Sequence, residues 1–187
     1  MACEDLILDQ PINTGCESVK MDFEMEAWHI PWTKVTAKTI DTLNAVCSAL
    51  TIEASSANKV TMRGMQPYNG TGVTGEEKPY GVSFTENFQV TVYGNTPTSA
   101  SVVNKLAHGR HMFLLMQKGH DWESRYMLIG AESGVMATAP AIEPYGDEGG
   151  WTVPMTATNN ISSAIFIKGA DKNATEAIIT AITGGDL

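Results

Sequence analysis

Cysteine is sparse in this 187-residue chain: Cys3, Cys16 and Cys47 make an odd count with no C-x-x-C pair. That pattern is not a disulfide framework. Free thiols in a reducing cytosol are expected, with a Cys3–Cys16 pairing left open. Basic charge is sparse as well. Twelve Lys and Arg stand against 21 Asp and Glu, giving a formal net charge of −9. A nucleic-acid grip needs a basic stripe that displaces counterions from phosphates. The densest basic stretch, Lys105, His108, Arg110 and His111, is too thin for one, so tight DNA or RNA binding is not expected. Long apolar runs are missing too, and no window approaches the length that spans a bilayer. Residues Met1 to Gly15 carry Glu4, Asp5 and Asp9 and lack the apolar core of a signal peptide. A soluble protein with no membrane partner is expected. The three N-x-S/T triplets at Asn69, Asn160 and Asn173 are then chance matches.

Catalytic signatures are also wanting. Gly70-Thr71-Gly72-Val73-Thr74-Gly75 fits G-x-G-x-x-G, but a dinucleotide site needs a helix to begin at once, facing the pyrophosphate. Here Glu76, Glu77, Lys78 and Pro79 follow, and two carboxylates repel phosphate. His108, His111 and His120 are separated by a helix end and a whole strand. Metal ligands must converge to about 2 Å from the ion, so solvated histidines are expected. Ser124, Ser133 and Ser162 lack the nucleophile-elbow context, and Cys47 has the spacing of a core position. No enzyme activity, cofactor, metal or catalytic residue is expected.

The residues present point to a fold. A chain of this length buries a core of its own, and 43% of its residues are hydrophobic. Residues 1–18 read as an N-terminal arm, and 19–187 as a single β-rich domain with a long loop at 66–81. Over 19–29 the chain alternates. Val19, Met21, Phe23, Met25 and Ala27 share one face, and Lys20, Asp22, Glu24 and Glu26 share the other. Trp28 interrupts the polar side, which suggests an edge or interface position. Pro31 ends this strand.

Ile40, Leu43, Val46, Cys47 and Leu50 have helical spacing, which predicts a short helix near 41–49. Strands are predicted at 59–65 and 82–93. In the second, Val82–Phe84 and Phe88–Val92 read as out of phase, which predicts a bulge near Glu86–Asn87. Thr96 as cap, Pro97 at the first turn, the stripe Val102, Val103, Leu106 and Ala107, and Gly109 as stop predict a helix at about 97–108. Residues 111–117 are apolar on both faces, as in a central strand. The segments 122–130, 133–142, 151–157 and 161–167 continue a meander, with Pro154 arguing for an edge. A last short helix is expected at 173–182, with Ala174, Ala177, Ile178 and Ala181 on one side. Ten methionines suit a core or a repacking interface. Trp28, Trp32, Trp122 and Trp151 fall near strand ends, as interface anchors do. The fold class is mainly β: an antiparallel β-sandwich or barrel with a packed helix.

This order of elements resembles the tail tube (major tail) proteins of long-tailed bacteriophages and their contractile relatives. The run Arg125-Tyr126-Met127-Leu128-Ile129-Gly130-Ala131-Glu132-Ser133-Gly134, followed by Gly149-Gly150-Trp151-Thr152-Val153-Pro154-Met155-Thr156, looks like one in phage or prophage structural proteins of Bacteroides-type hosts. The resemblance implies a virion tail protein made in the bacterial cytoplasm, whose partners are copies of itself and other tail proteins. It implies rings, usually hexameric, with sheets joined edge to edge around a DNA conduit. The long loop and the arm then contact the next ring. That role falls to Tyr68, Gly70, Gly72, Gly75, Glu76 and Glu77 within 66–81, and to residues 1–18. An acidic lumen falls to Asp22, Glu24 and Glu26, since like charge lets DNA slide; a solvated strand face is the plain alternative. A competing reading is a small-molecule or carbohydrate-binding β-barrel module, which requires an apolar or aromatic-lined cavity.

Overall fold

The computed structural model describes residues 23–61, 72–79, 81–94, 96–117, 120–138 and 150–185. Its strands are β1 (Phe23–Pro31), β2 (Val35–Asp41), β3 (Val46–Ile52), β4 (Asn58–Thr61), β5 (Gly72–Lys78) and β6 (Gly81–Tyr93). They are followed by α1 (Pro97–Ala107), β7 (His111–Gln117), β8 (Tyr126–Ile129), β9 (Met136–Ala137), β10 (Gly150–Asn160), β11 (Ile165–Ile167) and α2 (Lys172–Thr183). One sheet has seven strands in the order β2-β3-β11-β8-β7-β1-β4. The other has four, in the order β5-β6-β10-β9. All pairings are antiparallel except β11 with β3, which is parallel. The architecture is mainly β and sandwich-like, and neither sheet closes into a barrel among the described residues.

The centre of the seven-stranded sheet is buried on both faces because its strands there are apolar on both faces. All seven residues of β7 and all four of β8 are buried. Phe113, Leu115, Met127 and Ile129 point into the space between the sheets. There they meet Phe88, Val90, Val153, Met155 and Ala157, with Val103 and Leu106 of α1 closing one end. The ring centroids of Phe88 and Phe113 lie 4.6 Å apart. On the opposite face Trp28, Ile30, Met112, Leu114 and Leu128 pack with Ile179 and Ile182 of α2. The three layers are thus the four-stranded sheet with α1, the seven-stranded sheet, and α2.

Both helices form for local reasons. Thr96 Oγ1 accepts from Ser99 N at 3.2 Å, with Pro97 in the first turn. Asp171 caps α2 by accepting from Ala174 N at 2.8 Å, and Gly184 closes it in the left-handed region. The buried face of α2 is Thr175, Ile179 and Ile182 rather than the alanine stripe, because the larger branched side chains fill the sheet's grooves. Among the described residues no helix is long and apolar enough to cross a membrane.

Several expectations are corrected. No helix forms near 41–49; the segment is the turn and first half of a β2–β3 hairpin. Asp41 Oδ1 accepts from the backbone N–H of Leu43 and of Asn44, each at 3.1 Å. This local turn competes with helical hydrogen bonding. Ala45 then takes a φ of +58°, and Leu43 is 73% exposed instead of joining an apolar stripe. The second half of the loop at 66–81 is strand β5, running antiparallel to β6 from Gly72↔Asn87 to Lys78↔Gly81. Trp28 is core, not edge. Strand β6 keeps one phase throughout, with Glu86, Phe88 and Val90 buried in succession. The bulge sits across from it, in β10. Ala157 opposes Glu86 and Asn160 opposes Phe84, so β10 carries one extra residue there, with Asn159 at φ +61°. Pro154 is accommodated because only two residues of β10 pair with β9.

The Ala45 conformation gives a test with a sign. Ala45→Gly should raise stability by up to ~1 kcal/mol in urea unfolding, because the left-handed region strains a Cβ. A helix at 41–49 would reverse the sign, with glycine costing about 1 kcal/mol.

Candidate functional site

Beside α1, between β6 of one sheet and β1, β4 and β7 of the other, lies an open cavity of about 670 Å³. Half of its lining residues are apolar, Val60 from β4, Val90 and Val92 from β6, Phe113 from β7, and Val102 and Leu106 from α1, and Asn58 and Thr91 are polar. Lys59 and Lys105, both exposed, stand among its lining residues. On the β1–β7 side lie two histidines. His29 Nε2 and His111 Nδ1 are 2.8 Å apart, a hydrogen bond across neighbouring strands. The strand register explains the meeting, since His29 pairs with Phe113 and Pro31 with His111. The His29 ring also lies 5.3 Å from that of Phe113.

Burial, and then the neighbouring His111, push the His29 imidazole down to about 4. Burial lowers His111 as well, against the opposing pull of the His108 and Leu106 carbonyls at the end of α1. Neither carbonyl meets His111 Nε2 in hydrogen-bonding geometry, and this buried nitrogen has no partner among the described residues. The pair is therefore neutral at neutral pH: one ring donates its N–H to the bare nitrogen of the other, and no charge is buried.

A second polar cluster ties the two sheets together. Glu86 is only 2% exposed, and its Oε2 accepts from Gly130 N at 2.8 Å. Burial pushes the Glu86 carboxyl up to about 7, against the hydrogen bonds from Gly130 and Asn160. Gly130 adopts φ +75°, and a Cβ there would meet His111 O and Val135 N at 2.8 Å, so the turn after β8 needs glycine. The same turn is held from several sides. Glu132 accepts from Ile161 N at 2.9 Å and Ser162 N at 2.8 Å. Ser133 Oγ donates to Asn160 Oδ1 at 3.0 Å. Lys38 Nζ donates to the carbonyls of Ala131 and Glu132 at 2.6 and 3.0 Å, above the Trp32 ring. This cluster is closed and positions the backbone.

The residues singled out from sequence are dispersed. Gly72, Gly75, Glu76 and Glu77 lie on β5, where all seven residues are exposed. Tyr68, Gly70 and Asp22 lie outside the described residues, as do Cys3, Cys16 and the arm. Glu24 and Glu26 lie on β1, in the other sheet from β5, so the acidic row and the assembly segment are not brought together. No helix follows the glycine motif; β5 turns back into β6. His111 and His120 lie at opposite ends of β7, and His108 Nδ1 is 2.7 Å from Asn104 O. Among the described residues no three metal-ligating side chains come together. The histidine that meets His111 is His29. The only signal in the sequence was a polar residue set among core positions, in Ala27-Trp28-His29-Ile30 and His111-Met112-Phe113. Glu86 carried the same signal, between Phe84 and Phe88 on an inward face.

The two clusters oppose each other in pH dependence. Glu86 binds its proton more tightly folded, at about 7 against 4.5. Its stabilising contribution is therefore complete below the unfolded value and lost as pH rises through 7. His29 binds its proton less tightly folded, at about 4 against 6.5, so its contribution is lost as pH falls from 6.5 through 4. Glu86→Gln keeps an acceptor for Gly130 N and removes the charge. Relative to wild type, this variant should gain up to about 3 kcal/mol between pH 5 and pH 8 in urea unfolding. Parallel pH profiles for the two proteins would contradict the assignment.

Comparison of the chain with protein-family models, curated proteins and solved structures finds no match.

Proposed function

We propose that the chain is a structural subunit that assembles with copies of itself, of the phage tail-tube kind, through the β5–β6 hairpin. The observation that carries this reading is the shape of that hairpin. Strand β6 pairs with β10 only from Phe84 onward, so residues 72–75 form the edge strand of the four-stranded sheet and residues 76–78 and 81–83 continue it as a two-stranded ribbon beyond β10. Val73 on the edge strand is 39% exposed, and Val82 on the ribbon 56%. An isolated two-stranded ribbon is marginal in water, and its open edge is a template for another strand. A second copy added at β5 would supply ladder hydrogen bonds and cover both valines.

The edges differ in how they are guarded. On β2, Thr36 Oγ1 bonds back to Thr51 O at 3.1 Å, and Lys38 is drawn onto the Ala131 and Glu132 carbonyls. On β5 the charges sit at the tip, where Lys78 pairs with Glu76 at 2.9 Å, and Gly72 to Gly75 stay small. Charge at the tip limits open-ended pairing while leaving room for one specific neighbour. Repeated head to tail, such a contact closes into a ring if its rotation allows. A DNA conduit, with Glu24 and Glu26 toward its lumen, other tail proteins as partners and a place in the virion tail belong to the same proposal. The cavity beside His29 favours a second reading, a small-molecule-binding β module.

Sedimentation velocity and negative-stain microscopy over rising protein concentration separate the two. Wild type should form rings or tubes. Val73→Lys with Val82→Lys should need at least about tenfold more protein to assemble, ~1.4 kcal/mol per contact, with an unchanged circular dichroism spectrum. A wild type that stays monomeric at millimolar concentration, or a double variant that assembles equally well, overturns the assembly reading.

A further inference from the structure

The open cavity beside α1 adjoins the bare edge of a sheet. Among its lining residues Val90, Leu106 and Phe113 are buried, whereas Val60 and Val92 are only half-buried and Val102 is 41% exposed. Three valines left wet beside buried neighbours make an apolar patch without a cover. Strand β4 ends the seven-stranded sheet, and among the described residues it pairs with β1 alone. Its Asn58 and Val60 sit opposite His29 and Ala27 and line the cavity, while Lys59 lies over Trp28 on the other face. A strand added at this edge would therefore direct every second side chain into the cavity. Sheet edges are commonly closed by another part of the same chain.

We infer that the chain's own N-terminal arm closes this cavity, with Leu6 and Leu8 seated against Val60, Val92 and Val102 and the backbone between them laid along the open edge of β4. Leu6-Ile7-Leu8 is the one run of branched aliphatic residues ahead of β1. Its spacing fits the edge, because Leu6 and Leu8 are two residues apart, as Asn58 and Val60 are. Ile7 then falls on the face of Lys59 and Trp28. The tether is long enough. Asp9 to Asp22, 14 residues, join the triplet to β1, and at full stretch they span about 46–50 Å. The seat lies four residues along β1, from Phe23 to Ala27, about 13 Å by strand rise, and two strand spacings sideways, about 10 Å. Pro11, Asn13 and Gly15 within the tether suit a reversal of the chain. Charge agrees as well. Residues 1–19 carry Glu4, Asp5, Asp9 and Glu17 and no Lys or Arg. The cavity has no acidic lining residue, so the arm meets no like charge along its walls. The chain's own arm is favoured over a neighbour's because a short flexible tether holds it at an effective concentration in the millimolar range. This inference stands apart from the assembly reading, since the seat and the ribbon use different residues. A small molecule of the second reading would have to displace the arm.

The test uses the full chain in dilute solution. Methyl NMR should show nuclear Overhauser contacts from Leu6 or Leu8 to Val60, Val92 or Val102. Leu6→Asp with Leu8→Asp should abolish these contacts and shift the three valines. In the same variant the outward-facing amides of residues 58–61 should exchange at least about tenfold faster, with the amides of β7 still the slowest, which shows that the variant is folded. Ile12→Asp, in the tether, should leave both the contacts and the exchange as in wild type. In a mixture of two differently labelled samples the contacts should stay within one chain. Absence of contact between the triplet and the valines, or β4 exchange indifferent to Leu6→Asp with Leu8→Asp, overturns the inference. So do contacts that pass between chains, because the seat then belongs to a neighbouring copy, and so do contacts to the three valines from residues 62–71 in place of the arm.

Discussion

The structure depends on one strand that must be covered from both sides. In β7 every residue from His111 to Gln117 is buried, and its side chains alternate between two separate cores. A strand of this kind cannot sit in a single sheet with one wet face. Something has to lie over Phe113 and Leu115, and something else over Met112, Leu114 and Met116. The four-stranded sheet meets the first demand and α2 the second. Burying a side chain such as Leu or Phe contributes roughly 1.5–3 kcal/mol, so leaving either face of β7 open would forfeit several such terms against a net stability of about 5–15 kcal/mol.

The polar features follow from that arrangement. Two sheets pressed together around β7 trap whatever polar residues share their inward faces, and each must find a partner or change its charge state. Glu86 does both, taking the Gly130 N–H and shifting toward the neutral acid. His29 and His111 bond to one another and stay uncharged, with His111 Nε2 left without a partner among the described residues. The cavity arises where the cover is incomplete. Toward α1 the helix contributes Val103 and Leu106 to the core but leaves Val102 outside it. At the far end of β6 the opposite excess occurs, and the strand outruns its β10 neighbour to become the exposed ribbon.

Much of this was legible in the sequence. The two-faced apolar run at 111–117, the alternation of Val153, Met155 and Ala157, and the Thr96–Pro97 start of α1 are short-range signals that tertiary packing had no reason to override. The failures have physical causes. At 40–50 the apolar spacing fits a helix, but Asp41 captures two backbone N–H groups and turns the chain. At 72–78 glycines and charges look like loop, and only pairing with β6 makes them strand. The His29–His111 contact and the Glu86–Gly130 bond join residues 82 and 44 positions apart. Such contacts depend on register, which no local pattern encodes.

Native-state hydrogen exchange, read amide by amide at two protein concentrations, tests the central claim most directly. In dilute protein, the amides of β7 should exchange only through global unfolding, and those of residues 76–78 and 81–83 should exchange rapidly. At high concentration the ribbon amides should gain protection while those of β7 stay unchanged. A ribbon already as protected as β7 in dilute solution, or β7 amides that exchange by local opening, would contradict the account.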